Sequence, residues 1–165
     1  MERKDGAAGR VRIRRYRDRD AEPLCELFFR SVREIGPAKY DDAPVRAWAD
    51  DVPDATAWGA RMQANATFVA VADDETVAGW IELDVHGHVE MLYCAPEAAG
   101  GGVATRLYAA VEALARERGL TQLTTAASRF AESFFRKHGW KVDERERVVR
   151  FGVGIERARM SKTLR

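Results

Sequence analysis

The sequence predicts a mixed α/β domain, of α+β type, with a mostly antiparallel central sheet flanked by helices. Three observations carry this. Short period-two apolar runs follow one another closely between Thr67 and Cys94, as in an antiparallel meander. Helix-period segments flank that meander, over Ala21–Glu34 and Val103–Arg118. Glycines stand where those helical patterns stop, at Gly36, Gly119 and Gly139.

Taken in order, Val11–Arg17 alternates apolar residues with arginine and reads as a strand with one wet face. Asp18 or Asp20 then offers a cap for a helix over Ala21–Glu34, whose Leu24, Leu27, Phe28 and Val32 share one side. Two short helices follow, over Pro44–Asp50 and Asp54–Ala64, with Pro44 and Asp54 as start signals. Thr67–Ala72, Thr76–Val85 and His88–Cys94 form the meander. The helix over Val103–Arg118 places Val103, Leu107, Ala110, Val111 and Leu114 on one face. Leu120–Ala126 reads as a strand and Arg129–Lys137 as a short helix. Trp140–Arg150 and Gly154–Leu164 form a closing hairpin. The order is β-α-α-α-β-β-β-α-β-α-β-β.

The 165 residues predict one domain over 11–165, preceded by a disordered lead over 1–10. Basic and acidic side chains number 27 and 26, so no electrostatic footprint for nucleic acid is expected. No apolar run approaches the roughly 20 residues needed to cross a bilayer, so no membrane association is expected. The first ten residues lack the apolar stretch of a secretory signal. Cys25 and Cys94 are not in CxxC spacing and read as buried thiols of a cytoplasmic protein. His86, His88 and His138 show no metal-ligand spacing, and no metal is expected.

The most informative stretch is PEAAGGGVATR, Pro96–Arg106, where three glycines stand at the start of a helix. A helix start presents unpaired amides and partial positive charge, and glycine lets an anion approach the backbone. A phosphate or pyrophosphate is the expected guest. GxxxxGK[ST] is absent, and position 105 is Thr where a GxGxxG motif needs its third glycine.

The segment from His88 to Leu120 resembles motif A of the GNAT superfamily of acyl-CoA-dependent N-acetyltransferases. Cys94-Ala95-Pro96 stands at the family's V-x-P, and Ala99–Ala104 at its [Q/R]-x-x-G-x-[G/A] loop. Ser128–Trp140 is similar to the segment N-x-x-A-x-x-F-Y-x-x-x-G-F. Tyr40, Ala47-Trp48-Ala49, Met160 and Lys162 resemble a small bacterial branch typified by YafP. The resemblance implies acetyl-CoA as co-substrate. Its pyrophosphate is then held by backbone amides from Ala99, Gly100, Gly101, Gly102, Val103, Ala104 and Thr105. Ala99 stands where the family has Gln or Arg. The pantetheine arm lies along Leu92, Tyr93 and Cys94, where the strand splays from Leu120–Ala126. Ser128, Phe134 and Arg136 complete the cofactor contacts, with Arg106 and Lys137 as further phosphate partners.

The resemblance also implies the chemistry. The Leu92 amide becomes the oxyanion donor. Glu90, in the string Glu90-Met91-Leu92-Tyr93-Cys94-Ala95, stands where histone-acetylating members carry their general base. Strand alternation puts His88, Glu90, Leu92 and Cys94 on one face. Glu82 and Asp84 are reserve bases and, with Tyr40 and Trp48, expected lining of the acceptor pocket, with Trp58 nearby. Phe135 occupies the position of the usual thiolate-protonating Tyr. That leaves Tyr93, Tyr108, Cys94 or solvent for the role. The acceptor is a small-molecule or protein amine. A homodimer is allowed, with the last strand as a pairing edge. The alternative is a non-catalytic acyl-CoA-binding module.

Overall fold

The computed structural model describes residues 10–165; the lead expected over 1–10 lies, but for Arg10, outside them. Seven strands form one sheet in the order β1-β2-β3-β4-β5-β7-β6. They are β1 (Arg12–Arg15), β2 (Ala66–Val71), β3 (Val77–Leu83), β4 (His88–Cys94), β5 (Gln122–Ala127), β6 (Lys141–Arg150) and β7 (Val153–Thr163). All neighbours are antiparallel except β4 and β5. The mixed α/β class and the element order agree with the sequence reading. β7 lies between β5 and β6, so the last strand has no free edge; that edge belongs to β6.

Helices cover both faces. α1 (Ala21–Ile35), α2 (Asp42–Trp48) and α3 (Ala55–Ala64) bury Leu24, Phe28, Val45 and Met62 against Val69, Val71 and Trp80. α4 (Val103–Glu117) and α5 (Arg129–Lys137) bury Leu107, Val111 and Phe135 against Ile81, Val89, Leu123 and Met160. Burying side chains of this size contributes about 1.5–3 kcal/mol each, enough to fix both helical layers on the sheet.

Local chemistry sets the ends of these elements. The Asp54 carboxylate accepts from the Thr56 amide at 2.8 Å and caps α3. Asp20 precedes α1 but makes no such cap. Its carboxylate instead takes Arg14 at 2.7 and 2.8 Å and the Arg17 amide at 2.8 Å, tying β1 to the start of α1. The β6–β7 hairpin turns on Phe151 and Gly152, both with positive φ (49° and 74°). That is the geometry of a two-residue type I′ turn.

Candidate active site

The site begins with a fault in strand pairing. β4 and β5 pair at only two rungs, His88↔Thr124 and Val89↔Thr125. Beyond Val89 the strands part. On the other side β4 stays paired with β3, but its register slips: Leu83 faces Val89, whereas Glu82 faces Met91. Glu90 is therefore the surplus residue of a β-bulge.

The bulge corrects one expectation from strand alternation. Val89, Leu92 and Cys94 pack with the α4–α5 layer, and Met91 and Tyr93 with the α1–α3 layer. The set His88, Glu90, Leu92 and Cys94 therefore does not share a single face. Beyond the bulge, Ala95 N–H donates to Ala78 O at 2.8 Å, and Trp80↔Tyr93 and Glu82↔Met91 continue that rung pattern. Antiparallel alternation then turns the amides and carbonyls of Leu92 and Cys94 away from β3, toward the gap.

Three neighbouring spaces, which share wall residues, follow the parting strands. A largely apolar cavity of about 310 Å³ is bounded by Val32 of α1, Leu92 and Cys94 of β4, Ala104 of α4 and Phe134 of α5. Next to it a throat of about 50 Å³ lies beside Trp48, Glu90, Leu92, Thr125 and Ser128. On the far side, past Glu90, lies a polar cavity of about 570 Å³ bordered by His88, Thr124, Asp143, Arg157 and Arg159.

The glycine loop stands at one end of this path. A single 3₁₀ turn over Pro96–Ala98 leads into it. Gly100 and Gly102 have φ of 78° and 79°, a region that L side chains adopt only with strain. A Cβ built on either would meet nothing within 4 Å, so the space over the loop is open. Gly101 N–H donates to Ala98 O, and the first helical bond runs from Arg106 N–H to Gly102 O. The amides of Val103, Ala104 and Thr105 precede that bond and are the orphan donors of the helix start. Open glycines, orphan amides and two outward-turned β4 residues fit the diphosphate and the amide-bearing arm of coenzyme A.

The other residues singled out in the sequence fall into two groups. Ser128 is the α5 N-cap, its Oγ accepting from the Ala131 amide at 3.2 Å, and it borders both cavity and throat. Trp48 borders both as well. Tyr93 borders both, while its ring sits 4.9 Å from Phe28 and 5.4 Å from Trp80. Burial raises the Tyr93 hydroxyl above its ordinary value, against a smaller lowering by Trp48. Burial likewise pushes the Cys94 thiol up to about 11. Both stay protonated at neutral pH.

The second group is engaged elsewhere. Glu82 is fully buried, held by Arg61 at 2.9 and 2.9 Å and by Trp80 Nε1 at 3.1 Å. That expected pocket residue borders none of the three spaces. Asp84 also misses them; its carboxylate takes the amides of His86 and His88 and closes the β3–β4 turn. Tyr40 is buried, its hydroxyl donating to Glu156 O at 3.0 Å and accepting from Arg129 N–H at 2.9 Å. It joins the segment between α1 and α2 to β7 and α5 rather than lining the acceptor side. Trp58 packs on Phe28 under the Arg61 guanidinium. Tyr108 is buried, bonded to Trp140 Nε1 and Lys162 Nζ. Arg136 pairs with Glu132, and Arg106 with the Val11 carbonyl. Phe135 is core.

Sequence reasoning missed Val32, Thr124, Thr125, Arg157 and Arg159 as wall residues. Val32 carried a signal as the last apolar position of the α1 face; the others carried none. Among the described residues, no group of three or more His, Cys, Asp or Glu could hold a metal, and no helix is long and apolar enough to cross a membrane.

Comparison with known proteins gives concordant results. Residues 37–164 match the acetyltransferase (GNAT) domain family. The N-acetyltransferase YafP of Escherichia coli, itself uncharacterized, is 29% identical over 138 residues, 84% of this chain and 86% of that one. A GCN5-related N-acetyltransferase from Rhodopseudomonas palustris superposes with a TM-score of 0.87 at 31% identity, covering 93% of this chain and 95% of that one. The PaiA N-acetyltransferase of Thermoplasma acidophilum, solved with coenzyme A, shares the fold with a TM-score of 0.77 at 20% identity, over 94% of this chain and 99% of that one.

Proposed function

The chain belongs to the acetyltransferase (GNAT) domain family and is an acyltransferase; on that premise we propose that it moves an acetyl group from acetyl-CoA to a primary amine, with Glu90 as general base. Bound in the cleft, acetyl-CoA supplies an activated carbonyl and a thiolate leaving group. The amides of Val103, Ala104 and Thr105, reached over Gly100–Gly102, hold its diphosphate. The backbone of Leu92 and Cys94 pairs with the arm in the manner of an added strand. The Leu92 amide, at the throat, donates to the thioester oxygen.

The acceptor amine enters from the polar cavity, past Glu90. An aliphatic amine with a pKa of about 10.4 must lose a proton to attack, which at pH 7 costs roughly 4 to 5 kcal/mol. Glu90 lies between the throat and the polar cavity, where a base must stand. It takes that proton and releases it to the open cavity. Tyr93, which borders the throat and keeps its proton at neutral pH, hydrogen-bonds the departing sulfur, and the thiolate, with a pKa of about 8.5, takes its proton from solvent. Acceptors of this class are small amines or protein amines.

The observation that carries the reading is the separation of β4 from β5 after two rungs, with the glycine loop at one end and Glu90 at the other. Calorimetric titration of acetyl-CoA into wild type and Gly102→Glu tests the binding half. Wild type should bind and the variant should not; equal binding by both removes the diphosphate from this loop. Thiol release with an amine panel tests the chemistry, Glu90→Gln losing about 10²–10⁴ of the rate while keeping acetyl-CoA affinity. Phe135, buried where the resemblance leads one to expect a tyrosine, favours a second reading, a non-catalytic acyl-CoA-binding module. That reading predicts acetyl-CoA binding without thiol release with any amine.

A further inference from the structure

The last rung between β4 and β5 is held by more than its backbone. Thr125 Oγ1 donates to the carbonyl of Val89 at 2.8 Å in a buried hydrogen bond, and Thr125 is only 5% exposed. The adjacent rung carries a second side-chain bond, His88 Nδ1 to Thr124 Oγ1 at 2.8 Å. Successive β5 residues point to opposite faces. The two threonines therefore grip β4 from both sides of the sheet, at the only two rungs the strands share. The residue after Val89 is the surplus Glu90.

We propose that Thr125 is a positioning residue, whose hydroxyl pins the peptide between Val89 and Glu90 and so fixes where β4 leaves β5. A bulge is a local defect with slack in it. Left unpinned, the rung at Val89 frays and the slack spreads along β4. The Glu90 side chain then loses its place between throat and polar cavity. The outward-turned groups of Leu92 and Cys94 lose the spacing that an added strand needs. Valine removes the hydroxyl at nearly constant shape and leaves a buried carbonyl short of one bond. Serine keeps the hydroxyl.

This inference rests on the gap being the seat of the acyl-CoA arm. It is tested by titrating acetyl-CoA and 3′-phosphoadenosine 5′-diphosphate, which lacks the arm, into wild type, Thr125→Val and Thr125→Ser. Thr125→Val should weaken acetyl-CoA by about tenfold and leave the diphosphate nucleotide within a factor of about two. Thr125→Ser should bind both as wild type does. Unchanged acetyl-CoA binding in Thr125→Val overturns the proposal. Equal weakening of both ligands overturns it too, since a general loss of structure explains that. Should the valine variant not fold, Thr125→Ala carries the same comparison. Failure of wild type to bind acetyl-CoA sinks the reading of the cleft and this inference together. Failure of the Glu90 assignment shows only in thiol release and leaves these titrations untouched.

Discussion

Arg61 lays both arms of its guanidinium on the fully buried carboxylate of Glu82, 2.9 Å on each side, and stacks on the Trp58 ring 4.5 Å away. Glu82 faces Met91 in register, one residue beyond the bulge. The pair therefore anchors α3 to the sheet directly behind the throat.

Removing either partner leaves the other charge uncompensated. Arg61→Ala and Glu82→Ala should each lose about 3–5 kcal/mol in urea unfolding. The double variant Arg61→Met/Glu82→Leu should recover most of that, because no charge stays behind. Additive losses would show that the two side chains do not form a unit.

Asp20 sets an acid limit on stability. Burial raises its carboxyl, but the hydrogen bond to Arg14, the Arg17 amide and the arginine charges outweigh it, and the net shift is downward. A depressed folded pKa gives stability that is complete above the unfolded value of about 3.9 and lost as pH falls through the folded one. Asp20→Asn should cost about 3 kcal/mol at pH 7. The Tm gap to wild type should then shrink below about pH 4. A gap that stays constant into acid would rule out the ion pair as its source.

Gly102→Ala separates conformation from crowding. Nothing lies within 4 Å of the added Cβ, so only the φ of 79° is strained. The expected cost is about 1–2 kcal/mol, or about 2–8 °C in Tm, and it should be the same with acetyl-CoA present if the methyl is tolerated under the diphosphate. A wider gap with ligand present would mean that the methyl blocks the approach to the amides.

Phe151 is exposed at 71% and holds φ at 49° in the β6–β7 turn, a place that favours asparagine before glycine. Phe151→Asn should stabilise by about 1 kcal/mol, raising Tm by about 2–4 °C, with no change in acetyl-CoA affinity. A fall in Tm would mean that the ring's stacking with Arg150 outweighs the relief of strain.

The fold was legible because its elements announce themselves locally. α1 shows its buried face in the spacing of Leu24, Leu27, Phe28 and Val32, and Gly102 marks a backbone turn that side chains resist. The acceptor side was much less so. Strand alternation assumes a constant period, and nothing in HVEML marks Glu90 as surplus; the slip exists only against β3. Glu82 reads as a free carboxylate until Arg61, 21 residues upstream, folds over it. Asp84 reads the same way until its turn closes. Tyr40 looks like a pocket aromatic until β7 and α5 arrive to take its hydroxyl. Glu82 and Tyr40 depend on partners distant in sequence, which no window along the chain contains, whereas Asp84 depends on a turn two to four residues away.

The surplus residue in β4 has a consequence of parity. Before Glu90 an odd-numbered residue, Val89, faces α4; after it the even-numbered Leu92 and Cys94 do. The numbering thus inverts its phase across Glu90 while the alternation of the paired residues runs on, from Val89 to Met91 to Leu92, because the bulge absorbs the extra residue. Substituting position 90 changes chemistry and leaves the count intact. Deleting it would make Leu83↔Val89 and Glu82↔Met91 consecutive rungs of one unbroken alternation, with the side chains of both layers and the outward-turned groups of Leu92 and Cys94 kept in place. In β4, then, the pairing itself does not require the extra residue; what its removal would take away is the local bend and the carboxylate.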